Sequence, residues 1–214
     1  MQQKQINQLK KIYKAKRQEI LKRLDDFKKV WAKSDEEIFS ELCFCILTPQ
    51  SKAKVCDSII NNLKKNRLLF KGNVKKIRPF LKKARFYKNK SRYLVECRNF
   101  FKNNGRLCMK NRLVNKDILS TREWLVGNIK GIGYKEASHF LRNIGLGDNL
   151  AILDIHILRN LKKFGVIKEL PKTLTKRLYL ETEHKLKKFC QKVKIPPSHL
   201  DLLFWSTETG EIFK

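Results

Sequence analysis

Residues 127–156 read GNIKGIGYKEASHFLRNIGLGDNLAILDIH, and the centre of this stretch is the tetrad KGIG at 130–133. Two glycines around one apolar residue permit positive φ and a close approach by another backbone. Ile132 can then turn inward and anchor the turn. The amides of Gly131 and Gly133 would face outward at the positive end of the helix that follows, an arrangement suited to phosphate. Lys135 stands in the first turn of that helix, where a merely solubilising lysine has no reason to be. The helix is expected to end at Gly145 and Gly147. Asp154 then opens another helical run, nineteen residues after the lysine and ahead of Gly165.

Outward from this hairpin, helical periodicity dominates. Apolar positions from Ile6 to Trp31 recur at three- and four-residue spacings, which predicts one long amphipathic helix over 4–32. Ser34 with Glu37, and Ser120 with Glu123, read as capping boxes. Pro49 closes the helix EEIFSELCFCILT, QSKAKVCDSIINNLKK opens the next, and the run after residue 74 is broken near Pro79 and stopped by Gly105. Two more helices, TLTKRLYLETEHKLKKFCQKV and PPSHLDLLFWST, complete the chain. No strand alternation, repeat or low-complexity linker is evident, so the sequence predicts one all-α body with short connections.

The chain of 214 residues carries a formal charge of +29 with 42% hydrophobic content. That is enough apolar material for a core, and a charge that a polyanion would neutralise. Nucleic acid is the economical partner, because each neutralised phosphate releases counterions; a purely solubilising surface is the bland alternative. No apolar run has the length of a membrane span, and the N-terminal residues lack a signal-peptide core, so a cytoplasmic, nucleoid-associated protein without a membrane partner is expected. The six cysteines form no CxxC pair and have no histidines at zinc spacing, which predicts buried thiols and neither a metal nor another cofactor. A glycine pair between helices is common by itself. With helices on both sides and this charge, the hairpin points to DNA binding.

LVGNIKGIGYKEASHFLRNIG followed by AILDIHILRNLKKFG resembles the helix-hairpin-helix DNA glycosylase superfamily. Gly131, Ile132, Gly133, Lys135, Asp154, His156 and Arg159 occupy the places of its Gly-hydrophobic-Gly turn, its lysine and its Val-Asp-x-His-Val-x-Arg segment. LCFCILTPQSKAKV resembles the earlier Leu-Ser-x-Gln/Asn-Thr segment, with Gln50 at the amide that enters the DNA groove. Only Cys190 lies where the endonuclease III branch carries four cysteines for an iron–sulfur cluster, which moves the resemblance to the 8-oxoguanine branch and its compact archaeal form. The resemblance implies a two-lobed helical bundle with the active site in the cleft between lobes. The central helical-barrel lobe would span 35–150, with the hairpin at about 118–145, and residues 1–34 and 151–214 would build the second lobe. It also implies a monomer acting on double-stranded DNA with an oxidised base.

The implied chemistry is base excision with strand cleavage. A lysine amine displaces the base of a flipped nucleotide, forms a Schiff base with the opened sugar and permits β-elimination. Lys135 is the expected nucleophile, since the positive end of a helix dipole favours the neutral amine. Asp154 reads as an N-cap that also stabilises an oxocarbenium-like state. His156 is either an ordinary helix histidine or a DNA contact, and Gln50 either caps the helix after Pro49 or fills the groove. Trp205 is either a core aromatic or the ring that stacks on the flipped base, with Asp201 one turn earlier facing the base edge. Lys214 is expected to fold back over that pocket. The alternatives are an oxidised-pyrimidine glycosylase without a cluster and a hairpin module that only grips DNA.

Overall fold

The computed structural model describes residues 2–113 and 117–214. Met1 and residues 114–116, which fall within the two expected lobes, lie outside the described residues. Twelve α-helices are found among the described residues: α1 Gln2–Trp31, α2 Asp35–Leu47, α3 Ala53–Lys65, α4 Leu68–Lys71, α5 Val74–Ile77, α6 Tyr87–Phe101, α7 Met109–Leu113, α8 Ile118–Asn128, α9 Tyr134–Asn143, α10 Ile155–Lys163, α11 Lys176–Val193 and α12 Pro197–Thr209. A 3-10 turn, Arg78–Leu81, holds Pro79. Among the described residues, no helix is long and apolar enough to cross a membrane.

Two hydrophobic cores organise these helices. The first surrounds α2, nine of whose thirteen residues are buried; a helix apolar on every side has to sit at the centre of its bundle. Helices α3 to α9 wrap it, with Leu63, Phe101, Leu125 and Phe140 among the buried contacts. The second core joins the buried face of α1 (Ile6, Leu9, Ile20, Leu24, Phe27) to α10, α11 and α12. The chain therefore returns to its beginning, and α1 passes from one core to the other, with Val30 and Trp31 at its end packed on the first. At that crossing Gly145 has φ +77°, and a Cβ there would come within 2.5 Å of the Lys28 Cα, so the end of α9 meets α1 only because the residue is glycine.

Local details correct three expectations. Ser34 caps α2 by accepting from the Glu37 amide (3.4 Å), but the Glu37 carboxylate closes no box; it pairs with Lys64 at 2.7 Å. Helix α8 is capped by Asp117, which accepts from Leu119 and Ser120 amides, and not by Ser120. Glu123 instead receives hydrogen bonds from Tyr134 and Lys176. The absence of strands is also overturned: β1 Lys102–Asn103 and β2 Arg106–Leu107 pair antiparallel. Asn104 (φ 47°) and Gly105 (φ 78°) are both left-handed, the backbone that an Asn-Gly two-residue hairpin requires.

A buried polar joint links the cores. Arg122 of α8 donates through both terminal nitrogens to Glu183 of α11, at 2.8 and 3.0 Å, with both side chains almost fully enclosed. Glu183 Oε1 also accepts from the Ala151 amide (2.8 Å), and the Tyr179 hydroxyl donates to the Ala151 carbonyl (2.6 Å). This network pins the extended segment that leads into Asp154. Glu183→Ala would leave the guanidinium buried and unpaired, so we expect a loss of roughly 3–5 kcal/mol. For a chain of this size that lowers Tm by something of the order of 10 °C. A melting curve unchanged from wild type would show that the joint carries little stability.

Candidate active site

The hairpin connects α8 to α9. Gly131 has φ +84°, and a Cβ there would lie 2.8 Å from the Tyr93 ring, so glycine is required twice over. Ile132 is buried, as the turn demands. Gly133 is extended (φ −103°), so only one of the two glycines uses the left-handed region. Its N–H donates to Glu136 Oε2 at 3.2 Å, which occupies one of the amides expected to face outward.

Lys135 follows in the first turn of α9, its side chain about one-fifth exposed and its Nζ 3.5 Å from Glu136 Oε1. It opens on a cleft of about 890 Å³. That cleft brings together Gln50, Lys135, Asp154, His156, Asp201, Trp205 and Lys214, while the hairpin residues 131–133 lie just outside it. Asp154 reaches it from the N-cap of α10, where Oδ1 accepts from the Ile157 amide at 2.8 Å. His156 is half-buried, with Nδ1 4.0 Å from Glu208 Oε2. Gln50 is exposed in the turn between α2 and α3, with φ 53°. It does not cap α3; Lys52 stands at that position.

Three further polar side chains, His139, Arg142 and Asp201, line the cleft with Lys135. His139 and Arg142 follow it on α9 at helical spacing, and both are deeply buried. Burial holds the His139 imidazole well below its usual range, with the charges of Arg142, Lys135 and Lys214 acting in the same direction, so its ring is neutral. Arg142 lies over the Phe27 ring (4.7 Å) with Nη1 3.4 Å from Asp201 Oδ2. Burial, helped by the nearby Asp154 charge, pushes the Asp201 carboxyl up to about 6 against the pull of Arg142. The sequence placed Asp201 on the face of Trp205; in the structure its carboxylate is turned to Arg142 while still bordering the cleft.

The C-terminal residues form the remaining wall. Trp205 is half-buried, its ring stacked on Phe213 with centroids 6.2 Å apart. Lys214 folds back so that Nζ meets Glu41 (2.9 Å) and Asp57 (2.8 Å) above the Phe44 ring. Burial opposes its charge, but Glu41 and Asp57 outweigh that and hold its ammonium above the usual range. Sequence reasoning missed Glu136, His139 and Arg142. The four- and seven-residue spacings from Lys135 to the last two were the available signal.

The chain resembles known proteins along most or all of its length. A family model described as 8-oxoguanine DNA glycosylase (Ogg-HhH) matches residues 20–195. A Fusobacterium nucleatum protein named 8-oxoguanine DNA glycosylase/AP lyase is 49% identical over 98% of this chain and 97% of its own. The solved structure of the 8-oxoguanine DNA glycosylase of Thermotoga maritima matches with a TM-score of 0.88 at 31% identity, covering 100% of both chains. A Methanocaldococcus jannaschii 8-oxoguanine glycosylase/lyase, solved in complex with a 15mer DNA containing 8-oxoguanine, matches with a TM-score of 0.85 at 39% identity, over 96% of this chain and 99% of that one.

Proposed function

Because this chain belongs to the 8-oxoguanine DNA glycosylase family, Ogg-HhH, we propose that it excises 8-oxoguanine from double-stranded DNA and cleaves the abasic strand through a Schiff base at Lys135. It is a glycosylase/AP lyase acting within a helical, two-lobed body. The observation that carries the assignment of roles is that Lys135, just after the hairpin, and Asp154, at the α10 cap, line the same cleft as Trp205.

The nucleotide is extruded into the cleft so that C1′ meets the amine. As the bond from C1′ to the base breaks, positive charge develops on the sugar, and the Asp154 carboxylate stabilises it. The Lys135 nitrogen bonds to C1′, the base leaves with its electron pair and takes up a proton, and the ring opens to a Schiff base. Loss of a C2′ proton then expels the 3′ phosphate, and water releases the lysine. Gln50, exposed at the lip, enters the groove. The hairpin at 131–133 and His156 meet phosphate, with the +29 charge supplying sequence-independent affinity. Trp205 stacks on the extruded base, and Asp201 and Lys214 border its edge. Residues 35–150 would form the lobe carrying the hairpin, and residues 1–34 with 151–214 the other, in a monomer working in the cytoplasm.

The test compares wild type and Trp205→Ala on two duplexes, one with 8-oxoguanine and one with a preformed abasic site. Wild type should cleave both. Base–aromatic stacking is worth about 1–3 kcal/mol per base, so the variant should lose about 10- to 100-fold on the lesion duplex. It should keep cleavage of the abasic duplex, which has no base to stack. Equal losses on both substrates would make Trp205 a support of the fold, and no cleavage of either by wild type would reduce the protein to a binding module.

A further inference from the structure

One buried cation lies outside the chemistry just described. Lys90, in the first turn of α6, is only 4% exposed. Its Nζ donates to the carbonyls of Leu47 and Pro49, both at 2.7 Å, and to Ser51 Oγ at 3.1 Å. An ammonium has three hydrogens, and all three are spent on one turn, two on its backbone carbonyls and one on its serine hydroxyl, where α2 connects to α3. Burial lowers its pKa, so the enclosure works against the charge that these acceptors hold. Ser51 Oγ accepts in addition from the Arg85 amide at 3.0 Å, which ties the same turn to the residues just before α6.

The turn so fastened carries Gln50, exposed at the lip of the cleft with φ 53°. A non-glycine residue persists in that region only where its surroundings over-determine it. The neighbours of Gln50 on both sides, Pro49 and Ser51, are bonded to Lys90. An apolar residue could fill the space, but it could not hold two carbonyls on one side of the turn.

We propose that Lys90 is a positioning residue for base extrusion: it locks residues 47–51 so that Gln50 is presented to the duplex. The inference rests on the groove-entering role proposed for Gln50. Lys90 touches neither sugar nor base; it acts through Gln50, and its loss should be indistinguishable from the loss of the Gln50 side chain.

That identity is testable by a double-mutant cycle on single-turnover excision of 8-oxoguanine, with 2-aminopurine beside the lesion reporting duplex opening. Gln50→Ala and Lys90→Met should each lower excision by about tenfold and weaken the fluorescence change by a similar amount, in line with loss of a positioned hydrogen-bonding group. The double variant should be no worse than Gln50→Ala. Losses that multiply, or a Lys90→Met enzyme equal to wild type, overturn the inference. If Lys90→Met does not fold, Ser51→Ala removes one of the three acceptors and is paired with Gln50→Ala in the same cycle, with a smaller, non-multiplying loss expected and a multiplying one overturning it. A silent Gln50→Ala in an enzyme that still excises the base would refute the role of Gln50, and this inference with it, while leaving the glycosylase assignment intact.

Discussion

Lys135→Gln should abolish the borohydride-trapped complex with lesion DNA and lower strand cleavage by about 10⁴-fold or more, the usual scale for removing a nucleophile. Binding should survive, because one charge is removed from a chain of +29 and the hairpin backbone is unchanged. Glu136 keeps its bond to the Gly133 amide, so the turn has no reason to relax. The choice of this lysine is not a matter of proximity alone. Lys90 has its three hydrogens on Leu47, Pro49 and Ser51, and Lys214 is fixed between two carboxylates at 2.9 and 2.8 Å. Lys135 has its nearest carboxylate at 3.5 Å, at the edge of the ion-pairing range, and its amine borders the cleft. Trapping that persists in Lys135→Gln would assign the nucleophile to another amine. Lost trapping with a collapsed melting curve would be structural, and circular dichroism on the same sample separates the two.

The hairpin and the lysine were legible because glycine is read by what it permits. Gly131 needs a left-handed φ and the near approach of Tyr93, and no other residue type meets both demands. The long helices were legible from periodicity, since burial on one face leaves a period of 3.6. The hairpin at 102–107 was not, because strands of two residues produce no alternation, although Asn104-Gly105 carried a turn signal. The α8 cap was misplaced by three residues: Ser120 and Glu123 imitate a capping box, but Asp117 precedes them with the same chemistry. The joint of Arg122, Tyr179, Ala151 and Glu183 had no sequence signal at all. Its partners lie up to 61 residues apart, and a charged residue in a helix reads as an exposed one. The same limit applied to Asp201, whose helical face was legible while its pairing with Arg142 on α9 depends on how α9 and α12 cross.

Asp154 is the second position with a large expected effect, and the one where cap and catalyst must be told apart. Its Oδ1 accepts from the Ile157 amide, which an asparagine oxygen can also do. Asparagine and aspartate are near-equal N-caps, so Asp154→Asn should cost stability by no more than about 0.5 kcal/mol. Excision should nevertheless fall by about 10²- to 10⁴-fold, because the charge facing the developing oxocarbenium ion is gone while its shape remains. An internal control lies in the same cleft. The Asp154 charge helps to raise the Asp201 carboxyl to about 6, so neutralising Asp154 makes the ionised form of Asp201 less unfavourable. The Asp201 titration, followed by carboxyl-carbon NMR, should therefore move down toward the ordinary aspartate value. Its sign for stability follows: a carboxyl raised in the folded state stabilises most below its unfolded pKa, and that contribution is lost as pH rises through about 6. In Asp154→Asn this loss should be smaller and completed at lower pH. Activity near wild type with an unshifted Asp201 would leave Asp154 as a cap alone. A shifted Asp201 with lost excision is what a carboxylate acting across the cleft produces.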